Sequence, residues 1–287
     1  SRARLRWFPK ALEALIPVAL EQNIEPQIAT VLVRECRLTP PAADIENWPW
    51  LVKVYTLGRF ELLIDGESPE YSRKVPKKVL FLLQAIIAFG AADVPEQKLL
   101  DVLWPDQEGD AASRSLTATL HRLRKLLVLS AAIHQAGGKI SLDRKFCWID
   151  RLAFEERLDR AAGDDERIEH AVALYRGAFL GQEDNAAWAA PARERLRAKF
   201  IQAIGTLGKS MEEFNRHELA IELYLRGIEA DSLVEPFYQG VMRCYDKLNR
   251  RTEAVSAYRR LRETLSITLG VPPSSVSQRL FETLRLN

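Results

Sequence analysis

The sequence predicts a mainly α-helical protein that carries one small α+β domain in its middle. Three observations lead there. Apolar residues recur at helical spacing before residue 38 and again after Arg151. From Lys53 the period shortens to alternation. And the pair Ala220-x-x-x-Tyr224 returns 34 positions later as Ala254-x-x-x-Tyr258.

Taken in order, Leu12, Leu15, Ile16, Ala19 and Leu20 form one helical stripe, and Ile28, Val31, Leu32 and Leu38 a second. Pro17 should kink the first helix and Pro26 should open the second. Thr39-Pro40-Pro41 stops the pattern, and Trp48-Pro49-Trp50 closes a Pro-rich linker whose tryptophans should pack against a neighbouring domain. A helical pair ending in a linker reads as the last unit of a larger helical array.

Val54, Thr56 and Gly58 then alternate with Lys53, Tyr55 and Leu57, Phe60, Leu62 and Ile64 follow, and Asp65-Gly66 supplies a tight turn. Val79 to Ala88 predicts a buried helix. Val94-Pro95 should begin another that runs from Glu96 to Leu103, and Asp110 or Ser113 should cap a third reaching about Leu127. A hairpin follows, from Ala132 to Gln135 and Lys139 to Leu142 around Gly137-Gly138, then a strand from Cys147 to Ile149.

Beyond Arg151 the signal is helical, and the 34-residue period is that of a tetratricopeptide-like repeat. The small Ala lets paired helices approach, and the Tyr fills the gap beside it. Ala171-x-x-x-Tyr175 is a third, irregularly spaced copy. The predicted domains are a helical segment and linker (1–50), an α+β domain (51–150) and a helical repeat domain (151–287).

Composition narrows the function. With 287 residues, 47% of them hydrophobic and 28% charged, the chain can bury more than one core. The longest apolar run, Val79 to Phe89, is interrupted by Gln84 and too short to span a membrane. Cys36, Cys147 and Cys244 are odd in number and far apart, which excludes a disulfide scaffold and fits a reducing cytoplasm. A secreted, membrane-spanning or disordered protein is excluded, and a cytoplasmic one is expected. The opening Ser-Arg-Ala-Arg, with no start Met, reads as a fragment of a longer chain. Of the net charge of +2, residues 1–50 and 151–287 contribute nothing, so the surplus lies in the middle.

Catalysis finds no support. His121, His134, His170 and His217 stand in no metal-ligand spacing, and Gly137-Gly138-Lys139 lacks the earlier glycine and the hydroxyl of a phosphate loop. Neither a metal nor another cofactor is expected. The acidic neighbours Glu155-Glu156 and Asp164-Asp165 should point different ways into solvent.

The third helix of the middle domain is the informative one. Leu116, Leu120, Leu123 and Leu127 share one stripe, and the opposite side carries Arg114, Ala118, His121 and Lys125, flanked by Thr117 and Arg122. Such a helix can enter a DNA major groove, with Arg and Thr at base edges and the outer charges on phosphates. A basic helix end with Arg73, Lys74, Lys77 and Lys78 stands nearby in sequence, as does a hairpin with Lys139, Arg144 and Lys145.

The middle of the chain resembles a known family. Leu57-Gly58-Arg59-Phe60-Glu61-Leu62, Asp65-Gly66, Arg73-Lys74, Leu103-Trp104-Pro105 and His121-Arg122-Leu123-Arg124-Lys125-Leu126 are similar to the OmpR-like winged-helix domain of SARP-type bacterial transcriptional activators. Leu174-Tyr175-Arg176-Gly177, Phe179-Leu180, Trp188, Arg193, the Asp231 to Glu235-Pro236 turn, Tyr258 and Leu269-Gly270-Val271-Pro272-Pro273-Ser274 resemble the bacterial transcriptional activator domain that follows it. The first 50 residues look like the junction in large regulators with a signal-transduction ATPase and helical repeats upstream.

The resemblance implies a winged helix followed by a tetratricopeptide-like repeat domain, in a sequence-specific activator rather than an enzyme. The third helix would read the major groove, and the repeat domain would serve dimerisation and RNA polymerase contact. Expected partners are double-stranded promoter DNA, RNA polymerase and a second protomer on direct repeats. Arg73, Lys74, Lys77, Lys78, Arg114, Thr117, His121, Arg122, Arg124, Lys125, Lys139 and Arg144 are the expected DNA contacts. The competing reading is an interaction scaffold whose winged helix docks protein; its docking face should be apolar.

Overall fold

In the computed structural model, which describes residues 9–36, 38–70, 77–181 and 187–286, the chain divides into two units. The first joins Ser1–Glu156 to Phe179–Arg193, and the second joins Arg157–Ala178 to Glu194–Asn287.

The first unit starts with the pair α1 (Pro9–Glu21) and α2 (Pro26–Cys36). Pro17 lies within α1, and Pro26 opens α2 as expected. Leu12, Ile16 and Leu20 are buried on α1, but on α2 the inward residues are Ala29 and Val33. Ile28 and Val31 are 56% and 44% exposed, whereas Leu32 is half-buried and Leu38 buried, so only part of the expected stripe turns inward. Ala29 and Val33, one turn apart, form a narrow face, and the bulkier neighbours are left outside. Trp48 and Trp50 are buried, the Trp50 indole donating to the Ile45 carbonyl at 2.7 Å.

The sheet that follows runs β2-β1-β6: β1 (Val52–Tyr55) pairs antiparallel with β2 (Glu61–Ile64) and parallel with β6 (Cys147–Ile149). Helix α3 (Lys77–Ala88) is apolar on every side, with even Gln84 buried, and is the central helix of the unit. α4 (Glu96–Leu103) and α5 (Gly109–Leu126) pack against it.

Two expectations need correction here. Val94–Pro95 is a strand, β3, because Val94 pairs with Ile140 of β5 (Lys139–Leu142) and Pro95 is extended at the α4 N-cap. A two-residue strand leaves no periodicity to read. α5 is capped by Glu108 without a side-chain bond, so Asp110 lies in the first turn and Ser113 inside the helix.

β4 (Ile133–Ala136) and β5 (Lys139–Leu142) form the wing hairpin. Gly137 and Gly138 have φ of +57° and +71°, and a two-residue turn with both φ positive is where glycine is needed. α6 (Asp150–Ala161) starts where β6 stops. The Asp150 carboxylate, 1% exposed, accepts hydrogen bonds from Thr56 N–H (2.7 Å), Thr56 hydroxyl (2.6 Å), Leu57 N–H (2.8 Å) and Arg151 N–H (2.6 Å). Burial pushes its pKa up to about 6 against the pull of those bonds. Arg151, also buried, donates to the Ile87 carbonyl at the end of α3 and to Glu155.

Residues 179–181 and 187–193 return to this unit as a strap. Leu180 N–H donates to the Thr56 carbonyl at 2.7 Å, Phe179 bridges Leu57, and Trp188 lies 6.1 Å from Phe89.

The second unit holds the end of α6, α7 (Asp165–Leu174), most of α8 (Ala190–Glu213), α9 (His217–Ala230), α10 (Glu235–Lys247), α11 (Arg251–Leu269) and α12 (Ser275–Leu286). All three expected alanines, Ala171, Ala220 and Ala254, are fully buried. Each matching tyrosine meets a phenylalanine: Tyr175 stacks on Phe200 at 4.1 Å, Tyr224 lies 5.7 Å from Phe237, and Tyr258 stacks on Phe281 at 4.1 Å. A Cβ on Gly208 or on Gly240 would come within 2.4 or 2.3 Å of the Tyr224 ring, so this ring fits only because both positions lack one. The repeat read in the sequence is therefore a repeated aromatic lock.

The acidic pairs are engaged rather than solvated. Glu155 pairs with Arg151 at 3.1 Å and Glu156 with Arg144 at 2.7 Å, while Asp164 caps α7 through the N–H groups of Glu166 and Arg167. No helix among the described residues is long and apolar enough to cross a membrane.

Candidate nucleic-acid interface

α5 owes its orientation to one stripe. Leu116, Leu120 and Leu123, with Leu127 just beyond, are buried as expected, together with Ala112 and Thr119. The opposite face presents Arg114, Thr117, Ala118, His121, Arg122 and Lys125, all exposed. From Arg114 to Lys125 the helix rises about 16 Å, enough to follow a major groove about 12 Å wide. Among the described residues, Arg114, His121, Arg122 and Lys125 make no hydrogen bond or ion pair. Thr117 donates its hydroxyl back to the Ser113 carbonyl at 2.9 Å, which leaves its oxygen free to accept.

The remaining expected contacts divide. Lys139 is exposed beside the turn of the wing. Arg124 donates to Gln135 of β4 at 3.5 Å, and Gln135 donates to Glu96 of α4 at 3.0 Å, so Arg124 links the helix to the wing. Lys77 is exposed at the start of α3, whereas Lys78 donates to the Leu103 carbonyl and lies 5.1 Å over the Trp104 ring. Arg144 stands at the base of the hairpin, away from its tip, and is paired with Glu156. Arg73 and Lys74 lie outside the described residues.

Two features escaped the sequence reading. The Gln135 link to Glu96 spans 39 positions and has no local signal. Asp150 had one: a lone Asp directly after the apolar Cys147-Trp148-Ile149 and before a helical run is a helix-start pattern. Asp106, Glu108 and Asp110, all exposed, precede or open α5. They suit the positive end of the helix dipole and would repel a phosphate placed there.

Comparison with known proteins shows what the chain is similar to. Residues 150–285 match the bacterial transcriptional activator domain. Those residues, just under half of the chain, are similar to such a domain. Preceded by a winged helix, it gives the arrangement of the SARP-type regulators, and the resemblance read in the sequence is borne out.

The transcriptional regulatory protein EmbR of Mycobacterium bovis and of Mycobacterium tuberculosis is 24% identical over 251 residues, 79% of this chain and 62% of the relative. The solved structure of Mycobacterium tuberculosis EmbR in complex with a low affinity phosphopeptide has the same fold. Its TM-score is 0.64 at 21% identity, covering 82% of this chain and 65% of that one. The chain thus spans just under two thirds of the length of the regulators it matches.

Proposed function

We propose that this SARP-type chain is a sequence-specific, cytoplasmic transcription activator that binds double-stranded promoter DNA through α5. One observation supports this above the rest: a helix pinned by its leucine stripe turns Arg114, Thr117, His121, Arg122 and Lys125 outward, its four cationic or imidazole groups without partners among the described residues. Arg114 and Thr117 are the candidates for base edges, and Arg122, Lys125, Lys77 and Lys139 for phosphates. Arg124 and Lys78 act in this reading as supports. The repeat unit serves dimerisation on direct repeats and contact with RNA polymerase.

A docking scaffold would present large apolar side chains at this face. The exposed apolar residues of α5 are alanines.

Titration of labelled duplex promoter DNA at several salt concentrations tests the proposal. Each neutralised phosphate should contribute about 0.9 to the slope of log affinity against log salt. Steep salt dependence is expected; a flat response, or no binding at low salt, refutes the DNA reading.

A further inference from the structure

The outer face of α5 is uneven. Arg114, His121, Arg122 and Lys125 extend from it, none of them in a hydrogen bond or ion pair among the described residues. Among them stands Ala118, exposed, whose side chain is a single methyl group. It follows Arg114 and precedes Arg122 by one turn each, and His121 lies about 60° around the helix from it. Thr117 beside it already donates its hydroxyl to the Ser113 carbonyl at 2.9 Å. The middle of the face therefore offers no side-chain donor of its own. It is a hollow floored by a methyl group and bordered by two guanidinium groups and an imidazole. The other exposed alanine of the helix, Ala111, has acids for neighbours instead, Asp110 beside it and Glu108 at the N-cap, and phosphates are repelled there.

In the major groove each base shows its own set of donors and acceptors, and thymine alone adds an apolar group, its 5-methyl. A methyl-floored hollow between cations suits that group. The amino groups of adenine and cytosine and the O6 of guanine would lose water there without gaining a partner. We propose that Ala118 is the thymine-reading residue of α5, its methyl group packed on the 5-methyl of the base. That thymine lies within about two base pairs of the base that Arg114 meets, because four residues of helix rise about 6 Å against about 3.4 Å per base pair. The proposal rests on the DNA reading of α5 and adds a base to it.

Duplexes selected by the full chain from a randomised pool define the site. Each thymine of the best duplex is then replaced in turn by deoxyuridine, which lacks only the 5-methyl group. One replacement, within about two base pairs of a guanine whose preference is lost in Arg114→Ala, should weaken binding by about threefold to fivefold, the effect of one buried methyl group. In Ala118→Gly that penalty should vanish, thymine and deoxyuridine binding alike. Ala111→Gly makes the same substitution on the same helix and should keep the penalty in full, which separates a lost contact from a loosened helix. Salt-dependent binding that is indifferent to every deoxyuridine overturns the thymine assignment and leaves the DNA reading standing. So does a penalty of equal size in Ala118→Gly and the unaltered protein. Absence of any duplex binding at low salt overturns both.

Discussion

Arginines on α5 and arginines around Tyr224 have opposite surroundings. On α5, Arg114 and Arg122 stand in solvent without a partner among the described residues. In the repeat unit, Arg243 donates to both oxygens of Glu212 at 2.7 and 2.9 Å, and the Tyr224 hydroxyl donates to the same carboxylate at 2.6 Å. Burial would raise the Glu212 pKa, but the bonds from Arg243 and Tyr224 outweigh it and hold the carboxyl below its ordinary value. One set of charges is kept available, and the other is used to fix helices. Counting charges along the chain could not separate them; pairing does.

That contrast can be broken in four ways. The largest effect belongs to a fixed carboxylate, Asp150. Asp150→Ala strips the acceptor from three N–H groups and a hydroxyl, so stability should fall by at least about 3 kcal/mol in urea unfolding. A loss below about 1 kcal/mol would mean that the strand-to-helix junction is held by something else.

Arg114 should behave in the reverse sense. Arg114→Ala should cost about 1–3 kcal/mol of affinity for the cognate site and less for random DNA, while Lys125→Ala should weaken both alike. Neither should change the unfolding free energy by more than about 0.5 kcal/mol. Equal losses for Arg114 on both DNAs would reassign it to phosphate.

Arg243→Ala should cost about 1 kcal/mol of stability, modest because the side chain is 43% exposed, and leave DNA affinity untouched. Reduced DNA affinity in the folded variant would erase the contrast.

The last effect is in pH. Asp150 rises from 3.8 unfolded to about 6 folded, so between those values the folded protein binds a proton that the unfolded chain does not. Its charge thus costs stability above pH 6, and that cost is relieved as the pH falls toward 4. Glu212 and Glu235 act oppositely. Burial would raise the Glu235 pKa, but Ser277 and Ser274 hold it below 4.5, and the contribution of both glutamates fades as the pH drops through their lowered values. Comparing urea midpoints from pH 7 to 3 for the unaltered protein and Asp150→Asn should isolate the Asp150 limb, worth about 1 kcal/mol or more. Parallel curves would rule out that titration.

How much of this could be read in the sequence depends on how local the cause is. The span from Glu96 to Leu103, the leucine stripe of α5 and the buried Ala–Tyr pairs all follow from spacing along one helix. The outward turn of Ile28 and Val31, the pairing of Val94 with Ile140 and the Gln135 link to Glu96 depend on what lies opposite. Hydropathy alone holds no record of that. On α5 the exposed set was legible because one face of a helix fixes the other. Arg144 and Lys78 are engaged by Glu156 and by the Leu103 carbonyl, partners that the local sequence does not show.

The strap formed by residues 179–181 and 187–193 has a consequence for the order of synthesis. The first unit is missing Phe179, Leu180 and Trp188 until residue 193 has been made, although its last strand ends at Ile149. At about 5–20 residues per second, the ribosome needs roughly 2 to 7 seconds to add the segment from Arg157 to Arg193. During that interval the Thr56 carbonyl and the Phe89 ring await their partners. The nascent winged helix therefore reaches its final form only when part of the second unit has already emerged, and the two halves mature as one translation product.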